Sequence, residues 1–247
     1  MTVVDGLFFT MAKLDRARVH LDELEAENQR VLKDGTYTIT KQDNAKKMRH
    51  IIRLEVKPIP PLLPVLAGEF AYCIRSGLDQ LAWQLALINV KGRPRSSTSF
   101  PIRSIKPTPP KGFGDSVKDI LPAAFSVIES LQPYHRGTSY KRDPLWILNE
   151  LCITDKHVIM PVNSASSKFS IFGTNDWKKR DFQHAVEIIV PLTDKFKVQI
   201  KEEQSEIILG EPLESTSSGF EVRVAELRPI YNFVRDDVVP RFAGFLK

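Results

Sequence analysis

Arg75 and Asp79 are the residues whose types and spacing suggest chemistry most directly. They lie four positions apart in a stretch with helical periodicity, so a helix would bring the guanidinium and the carboxylate side by side. The other residues on the same line of that helix are small: Gly68, Ala71, Ala82 and Ala86. We therefore expect both charges to be enclosed. Because an enclosed ion pair rarely adds net stability, the pair either serves a site or holds a neighbouring segment.

Asp155, Lys156 and His157 form a second candidate group. They supply an acid, a cation and the one side chain that titrates near neutral pH. Asp155 falls within the apolar stripe of a predicted helix over Leu145–Met160, so we expect it to be buried. Two interpretations stay open. The group takes part in acid–base catalysis with Arg75, or Asp155 only takes a helix end or pairs with Arg75 while His157 is half exposed.

Helices predicted in the first part of the chain would position both groups. Their periodicity places them at 10–33, 63–89, 116–131 and 144–160, and a strand hairpin is predicted over 37–56. The helix over 63–89 is the strongest of them. Its apolar stripe consists of Leu63, Phe70, Ile74, Leu78, Leu81, Leu85 and Ile88. A helix with apolar residues on one face and small residues on a second face is expected to lie inside a bundle.

After Pro161 the hydrophobic period changes from that of helices to that of strands. Short strands are predicted at 169–172, 185–190, 196–201, 206–209 and 220–225, which suggests an antiparallel β-meander. A closing helix over 228–247, kinked at Pro240, ends the chain. The predicted fold class is therefore α+β. A helical core with the hairpin spans 1–160, and the strands and closing helix of 161–247 pack on it.

Composition limits the class of protein. The 247 residues are 42% apolar and 26% charged, which excludes wholesale disorder, collagen-like repetition and a coiled coil. Cys73 and Cys152 both lie in apolar helical runs and are expected to be buried free thiols. The first residues lack the pattern of a signal peptide and no run is long enough to cross a bilayer, so we expect a cytoplasmic protein without membrane contact. The spacings typical of metal and cofactor sites are absent.

Basic residues suggest a polyanion as a partner. Arg93 and Arg95 begin a long loop rich in Pro, Ser and basic residues, and Lys178, Lys179 and Arg180 follow an aromatic residue that could stack on a base. These five residues are the candidates for contact with nucleic acid. A formal net charge of +5 on a chain of this size is also compatible with an ordinary basic surface.

The sequence resembles an uncharacterised family of bacterial proteins with an Arg-Ser-Ala-Leu-Asp-His-Leu-Ala segment on a central helix. Arg75 to Ala82 correspond to that segment, with Gln80 at the position of the histidine. Three further segments of the family agree in order and spacing: Phe100-Pro101-Ile102, Leu131-Gln132-Pro133-Tyr134, and Pro144-Leu145-Trp146 followed by Asp155-Lys156-His157. The similarity covers about residues 10–160, and the strand-rich tail is also similar.

More distantly, the pattern resembles HEPN domains (higher eukaryotes and prokaryotes nucleotide-binding). Many HEPN domains are metal-independent, dimeric ribonucleases of toxin–antitoxin and antiviral systems, in which an Arg steadies the phosphate and a His transfers protons. The resemblance implies RNA or a nucleotide as a partner, a homodimer, and Arg75 at the phosphate. Gln80 cannot transfer a proton, so His157 would have to do so, with Asp79 and Asp155 orienting the site. The alternative is a binding module with a degenerate site.

Overall fold

The computed structural model describes residues 6–108, 112–157, 160–172, 180–182, 186–191, 199–210 and 220–246. Its α-helices are α1 (Phe8–Lys33), α2 (Leu62–Asn89), α3 (Pro122–Ser130), α4 (Pro144–His157) and α5 (Val224–Asn232). Its strands are β1 (Tyr37–Asn44), β2 (Arg49–Val56), β3 (Val162–Phe172), β4 (Arg180–Phe182), β5 (Val186–Pro191), β6 (Gln199–Leu209) and β7 (Val222–Arg223). The predicted α+β class is confirmed.

Helix α2 is the centre of the fold and packs against α1 and α4. It begins directly after a proline-rich segment that no helix can cross, and Pro64 falls in its first turn, where a missing N–H costs nothing. The predicted apolar stripe is fully buried from Leu63 to Leu85. Ile88 was predicted to belong to that stripe, but half of it is exposed because the helix ends one residue later, beyond the packed core.

The predicted hairpin forms from β1 and β2, which pair antiparallel over their full length. Residues Ala45–Lys47 make a short 3-10 turn between them, in which the side chain of Asn44 accepts the N–H of Lys47. The turn closes with Met48 in the left-handed region. Strand β5, from the second part of the chain, pairs with β2 and completes a three-stranded sheet.

The second sheet has the order β4-β3-β6-β7. The late strands are antiparallel, as predicted, but they do not form one meander, since β5 leaves them for the hairpin. Residues 199–201 of the strand predicted at 196–201 and the whole strand predicted at 206–209 belong to the single strand β6, while 196–198 lie outside the described residues. Such pairings depend on contacts between distant residues, so the alternation within each strand does not predict them.

Two helical segments differ in extent from the prediction. The helix predicted over 116–131 is limited to α3, whose first residue is Pro122, a good helix starter. At the end of the chain, α5 begins at Val224 and is followed by a π-helical segment, Phe233–Val238, and a 3-10 segment, Val239–Phe245. The predicted helix over 228–247 therefore changes its hydrogen-bond period twice.

One hydrophobic core is shared by both parts of the chain. It joins residues of α1, α2 and α4 to residues of β6, α5 and the segment after it. The largest fully buried side chains are Tyr231, Phe70, Phe100 and Phe242. Cys73 and Cys152 are buried free thiols, as predicted. Within the described part of the chain, no helix combines the length and apolar character needed to cross a bilayer.

Candidate functional site

A pocket of about 300 Å³ lies along one face of α2. Helix α2 supplies most of its lining at spacings of three and four residues, which is the spacing of one helix face. The segment after α2 supplies one residue and the last turn of α4 supplies another. The lining consists of Tyr72, Arg75, Ser76, Asp79, Gln80, Trp83, Thr98 and Lys156.

Arg75 and Asp79 form the predicted ion pair in this pocket. The Nη1 atom of Arg75 lies 3.2 Å from Oδ1 of Asp79. The two side chains differ in burial, since that of Arg75 is 16% exposed and that of Asp79 is 39% exposed. The expectation that both charges are enclosed is therefore correct for Arg75 and only partly correct for Asp79, whose side chain is partly buried.

Asp79 also holds the segment that follows α2. Its Oδ1 atom accepts the backbone N–H of Phe100 at 2.9 Å. The Phe100 ring is fully buried and packs edge-on against Phe242, with ring centroids 6.3 Å apart. The ion pair was predicted either to serve a site or to hold a neighbouring segment. The carboxylate of Asp79 holds the segment, and the guanidinium of Arg75 lines the pocket.

Burial raises the pKa of Asp79 above its ordinary value. The charge of Arg75, the N–H of Phe100 and the charge of Lys156 all act in the opposite direction, because each stabilises the carboxylate. The net result is a carboxyl group that keeps its proton to a higher pH than an exposed aspartate does. Asp79 is the carboxyl group of the pocket lining, so acidification adds a proton next to the cation Arg75.

Three polar atoms of the pocket residues are shielded from solvent and have no hydrogen-bond partner in the described chain. They are Oε1 of Gln80, Oγ1 of Thr98 and Nη1 of Arg75, the last of which is in the ion pair with Asp79. Thr98 as a whole is 7% exposed. Only eight side-chain atoms in the described residues are in this state, so three of them in one pocket is a concentration. Buried polar groups are nearly always satisfied, by protein, water or ligand.

Aromatic rings flank this polar lining. Tyr72 is 50% exposed, and Trp83 is partly buried. The ammonium group of Lys13, on α1, lies 5.6 Å from the centre of the Tyr72 ring, so a further cation stands next to the pocket. A flat ligand could therefore stack on a ring while its charge meets a cation.

Asp155 was predicted to be buried in the stripe of α4, and this is wrong: the residue is exposed. It lies in the last turn of the helix, where the packed part of α4 has ended. Its carboxylate approaches α2 at Gly68, so closely that a Cβ on Gly68 would lie 2.0 Å from Oδ1. Partial burial and the nearby charge of Glu69 raise the pKa of Asp155, while Lys156 lowers it.

The remaining predicted catalytic residue, His157, is exposed and is not part of the pocket lining. Its neighbour Lys156 lines the pocket instead. The structure thus brings Arg75, Asp79 and Lys156 together and leaves Asp155 and His157 outside the lining. Within the described residues, no group of three or more His, Cys, Asp or Glu side chains could hold a metal ion.

The predicted nucleic-acid residues are in different situations. Arg93 is exposed, whereas Arg95 is bound to Asp119 through its side chain at 2.8 Å and through its backbone N–H at 2.7 Å. Lys178 and Lys179 lie outside the described residues. Arg180 is the first residue of β4, and only its backbone is described. The structure therefore does not show that the arginines at 93 and 95 and the basic residues at 178–180 form one surface.

Tyr72, Trp83 and Thr98 were not predicted as site residues, and Lys156 was named only as the cation of the second candidate group. A signal for the first two was present, because they continue the face of Arg75 and Asp79 at helical spacing. Thr98 had no such signal, since the hydrogen bond from Phe100 to Asp79 brings it to the helix. Gln80 was named only as the residue at the position of the family's histidine, without a role of its own in the site.

Comparison of the chain with models of protein families, with curated proteins and with solved structures found no match. The fold and the pocket define an α+β protein with a small polar and aromatic site on its central helix. The resemblance to the bacterial family and to HEPN domains stays a prediction. The chemistry of the pocket lining is what remains to indicate a function.

Proposed function

We propose that this protein binds a nucleotide in the α2 pocket and acts as a binding module. The observation that carries the proposal is that two shielded polar atoms without a partner among the described residues, Oε1 of Gln80 and Oγ1 of Thr98, share one lining with the guanidinium of Arg75. Each of the two atoms costs about 1–3 kcal/mol if it stays unsatisfied. A ligand that pairs with both atoms would recover this free energy, and the recovery would favour binding.

Charge supports an anionic group on the ligand. Arg75 and Lys156 line the pocket together with one carboxylate, that of Asp79, so the lining has one positive charge in excess. Asp79 is already engaged by the N–H of Phe100. The ion pair with Asp79 involves Nη1 of Arg75, and a guanidinium has five N–H donors, so its other donors can meet a phosphate oxygen. Guanidinium groups bind phosphate through charge-assisted hydrogen bonds, which are about twice as strong as neutral ones.

Size and shape support a nucleotide as the carrier of that anion. A volume of about 300 Å³ lies at the lower end of the range of small-molecule sites. Trp83 and Tyr72 offer rings at the same site, and stacking of a base on an aromatic side chain contributes about 1–3 kcal/mol. A simple phosphate ion would use the cations but would leave the aromatic rings and Gln80 without a role.

A long nucleic acid spread over the surface is supported less well. Among the arginines outside the pocket, Arg95 is paired with Asp119, Arg53 with Glu187, and Arg136 with Asp143. A cation with a carboxylate partner attracts a phosphate chain less strongly, because the local charge is already balanced. The proposal therefore commits to a single nucleotide unit.

Binding is also better supported than catalysis at this site. Gln80 has no proton to exchange near neutral pH, and the imidazole of His157 is absent from the lining. A phosphodiester in the pocket would meet cations and one carboxyl group engaged in two interactions. The location in the cytoplasm, the homodimer and the role in defence or toxicity stay predictions from the sequence.

The experiment is a calorimetric titration with the four ribonucleoside 5′-monophosphates and with the matching nucleosides. We expect at least one monophosphate to bind, its nucleoside to bind at least tenfold more weakly, and Arg75→Gln to reduce the affinity at least tenfold. Arg235→Gln is the matched control, since it removes an exposed arginine that is not in the lining. No heat of binding with any monophosphate at millimolar concentration would refute the proposal.

A further inference from the structure

Gln80 presents its amide oxygen to the pocket region as a shielded atom without a partner. We infer that the pocket selects nucleotides whose base carries an exocyclic amine, as adenine and cytosine do, over the corresponding oxo bases. The inference rests on the proposed function and specifies the ligand of the same site.

The chemistry of the amide oxygen gives the direction of the selectivity. Oε1 can only accept a hydrogen bond, so it requires a donor on the ligand. The exocyclic amine of adenine or cytosine is such a donor. Hypoxanthine and uracil carry a carbonyl oxygen at the same place, and this oxygen would face Oε1 as acceptor against acceptor. The shielded atom would then stay unsatisfied, and binding would lose the advantage of filling the pocket.

Position supports a base next to Gln80. Trp83 lies three residues further along α2 and Ser76 four residues back, so all three belong to one face of the helix. A base that stacks on the indole of Trp83 has its edge within the reach of the Gln80 amide. The cations Arg75 and Lys156 remain for the phosphate, as proposed above.

Thr98 provides the second observation. It is more than nine-tenths buried, it lines the same pocket, and its hydroxyl has no hydrogen-bond partner in the part of the chain that the structure describes. A hydroxyl group donates or accepts as required, so it can pair with a ring nitrogen next to the amine. Gln80 and Thr98 belong to different parts of the chain, and Asp79 holds those parts together through Phe100. The two side chains line one pocket and could together read one edge of a base.

The test uses ligand pairs that differ only in this group: AMP against IMP, and CMP against UMP. We expect the amino member of at least one pair to bind the wild-type protein at least tenfold more tightly. Gln80→Met, which keeps the length of the side chain and removes the acceptor, is expected to reduce the ratio to about one. Gln80→Glu keeps an acceptor, so the ratio should stay above one although the added charge weakens the binding of both ligands.

The outcomes separate the two proposals. Equal affinities within both pairs, or tighter binding of the oxo members, would overturn the inference and leave nucleotide binding intact. A preference that survives Gln80→Met would also overturn it. If no monophosphate binds at all, the proposed function fails and the inference fails with it. Thermal melting of each variant, compared with the wild-type protein, verifies that the substitution has not unfolded the pocket.

Discussion

The carboxylate of Asp79 joins α2 to the buried Phe100 through a hydrogen bond of 2.9 Å between Oδ1 and the backbone N–H. The same oxygen atom lies 3.2 Å from Nη1 of Arg75. One carboxylate therefore fixes the segment that carries Thr98 and sets the position of the cation in the pocket. Loss of the acceptor oxygen of Asp79 should disturb both the segment and the cation. Loss of its charge alone should leave the hydrogen bond to Phe100 in place.

Substitution of Asp79 separates these two effects. We expect Asp79→Ala to lower the free energy of unfolding by about 1–3 kcal/mol, because the N–H of Phe100 loses its partner. Asp79→Asn keeps an acceptor oxygen, so its free energy of unfolding should fall clearly less than that of Asp79→Ala. Urea denaturation of the two variants measures the difference. Equal losses in both variants would mean that the hydrogen bond to Phe100 does not stabilise the fold.

The pH dependence of stability has a definite sign at Asp79. Burial raises the pKa of this group in the folded state, so the folded protein binds more protons than the unfolded chain at pH values between the two pKa values. Stability due to this group is present at low pH and falls as the pH rises from about 3.9 through the raised pKa. Asp79→Asn removes the titration. The free energy of unfolding of the wild-type protein, relative to that of the variant, should therefore decrease from pH 4 to pH 7.

Comparison with the variant cancels the contributions of other carboxyl groups, including Asp155, whose pKa is also raised. Urea denaturation at several pH values gives the difference directly. A difference that is constant with pH, or that increases towards pH 7, would contradict the raised pKa of Asp79.

Gly68 makes the approach of α4 to α2 possible at Asp155. A Cβ at this position would lie 2.0 Å from Oδ1 and 2.3 Å from Cγ of Asp155, so the side chain or the end of α4 must move. We expect Gly68→Ala to cost about 1–3 kcal/mol of stability. Gly244→Ala is the matched control, because a Cβ at Gly244 has no neighbour within 4 Å.

A double mutant tests the cause of that loss. With Asp155→Ala in the background, the carboxylate is gone and Gly68→Ala should become nearly neutral. Chemical denaturation of the four proteins of the cycle gives the coupling free energy. If Gly68→Ala costs the same in both backgrounds, contact with Asp155 is not the reason for the glycine.

The sequence predicted the parts of the fold that follow local periodicity. The stripe from Leu63 to Leu85 is buried as expected, because each of its residues lies on one face of one helix. The pairing of β5 with β2 was not predictable, since it joins residues more than 130 positions apart. Asp155 continues the stripe of α4 in the sequence and is nevertheless exposed, because periodicity does not show where the packed part of the helix ends.

The same distinction applies to the pocket. Arg75 and Asp79 were recognisable because a polar pair on an otherwise packed helix face is unusual. Thr98 was not, because only the fold of the segment after α2 brings it to Gln80. The sequence placed the proton-transfer role at His157, whereas the adjacent cation Lys156 lines the pocket. On a helix, a shift of one residue changes the direction of a side chain by about 100°.

Arg93 and Arg95 should respond differently to substitution, although the sequence assigned them the same role. Arg95 is paired with the mostly buried Asp119, so Arg95→Gln is expected to lower the free energy of unfolding by about 1 kcal/mol. Arg93 is exposed, and Arg93→Gln should leave stability unchanged. If the protein binds single-stranded RNA, Arg93→Gln should weaken that binding and reduce its salt dependence. Fluorescence anisotropy between about 50 and 200 mM salt measures both quantities, and an unchanged affinity would remove Arg93 from the candidate RNA contacts.

Cleavage of RNA, which the resemblance to HEPN domains implies, is the activity that the pocket lining supports least. A metal-independent ribonuclease needs a cation at the phosphate and a group that exchanges protons near neutral pH. Arg75 could be the cation, but Gln80 cannot exchange protons and His157 is not in the lining. We therefore expect labelled single-stranded RNA to stay intact over hours between pH 5 and pH 9. Cleavage that is lost in both Arg75→Ala and His157→Ala would contradict this expectation and restore the enzyme hypothesis. A different result would assign the proton transfer to Asp79: cleavage that survives His157→Ala, resists EDTA and disappears in Asp79→Asn. Asp79 is the one acid in the pocket lining, its pKa is raised, and it contacts Arg75.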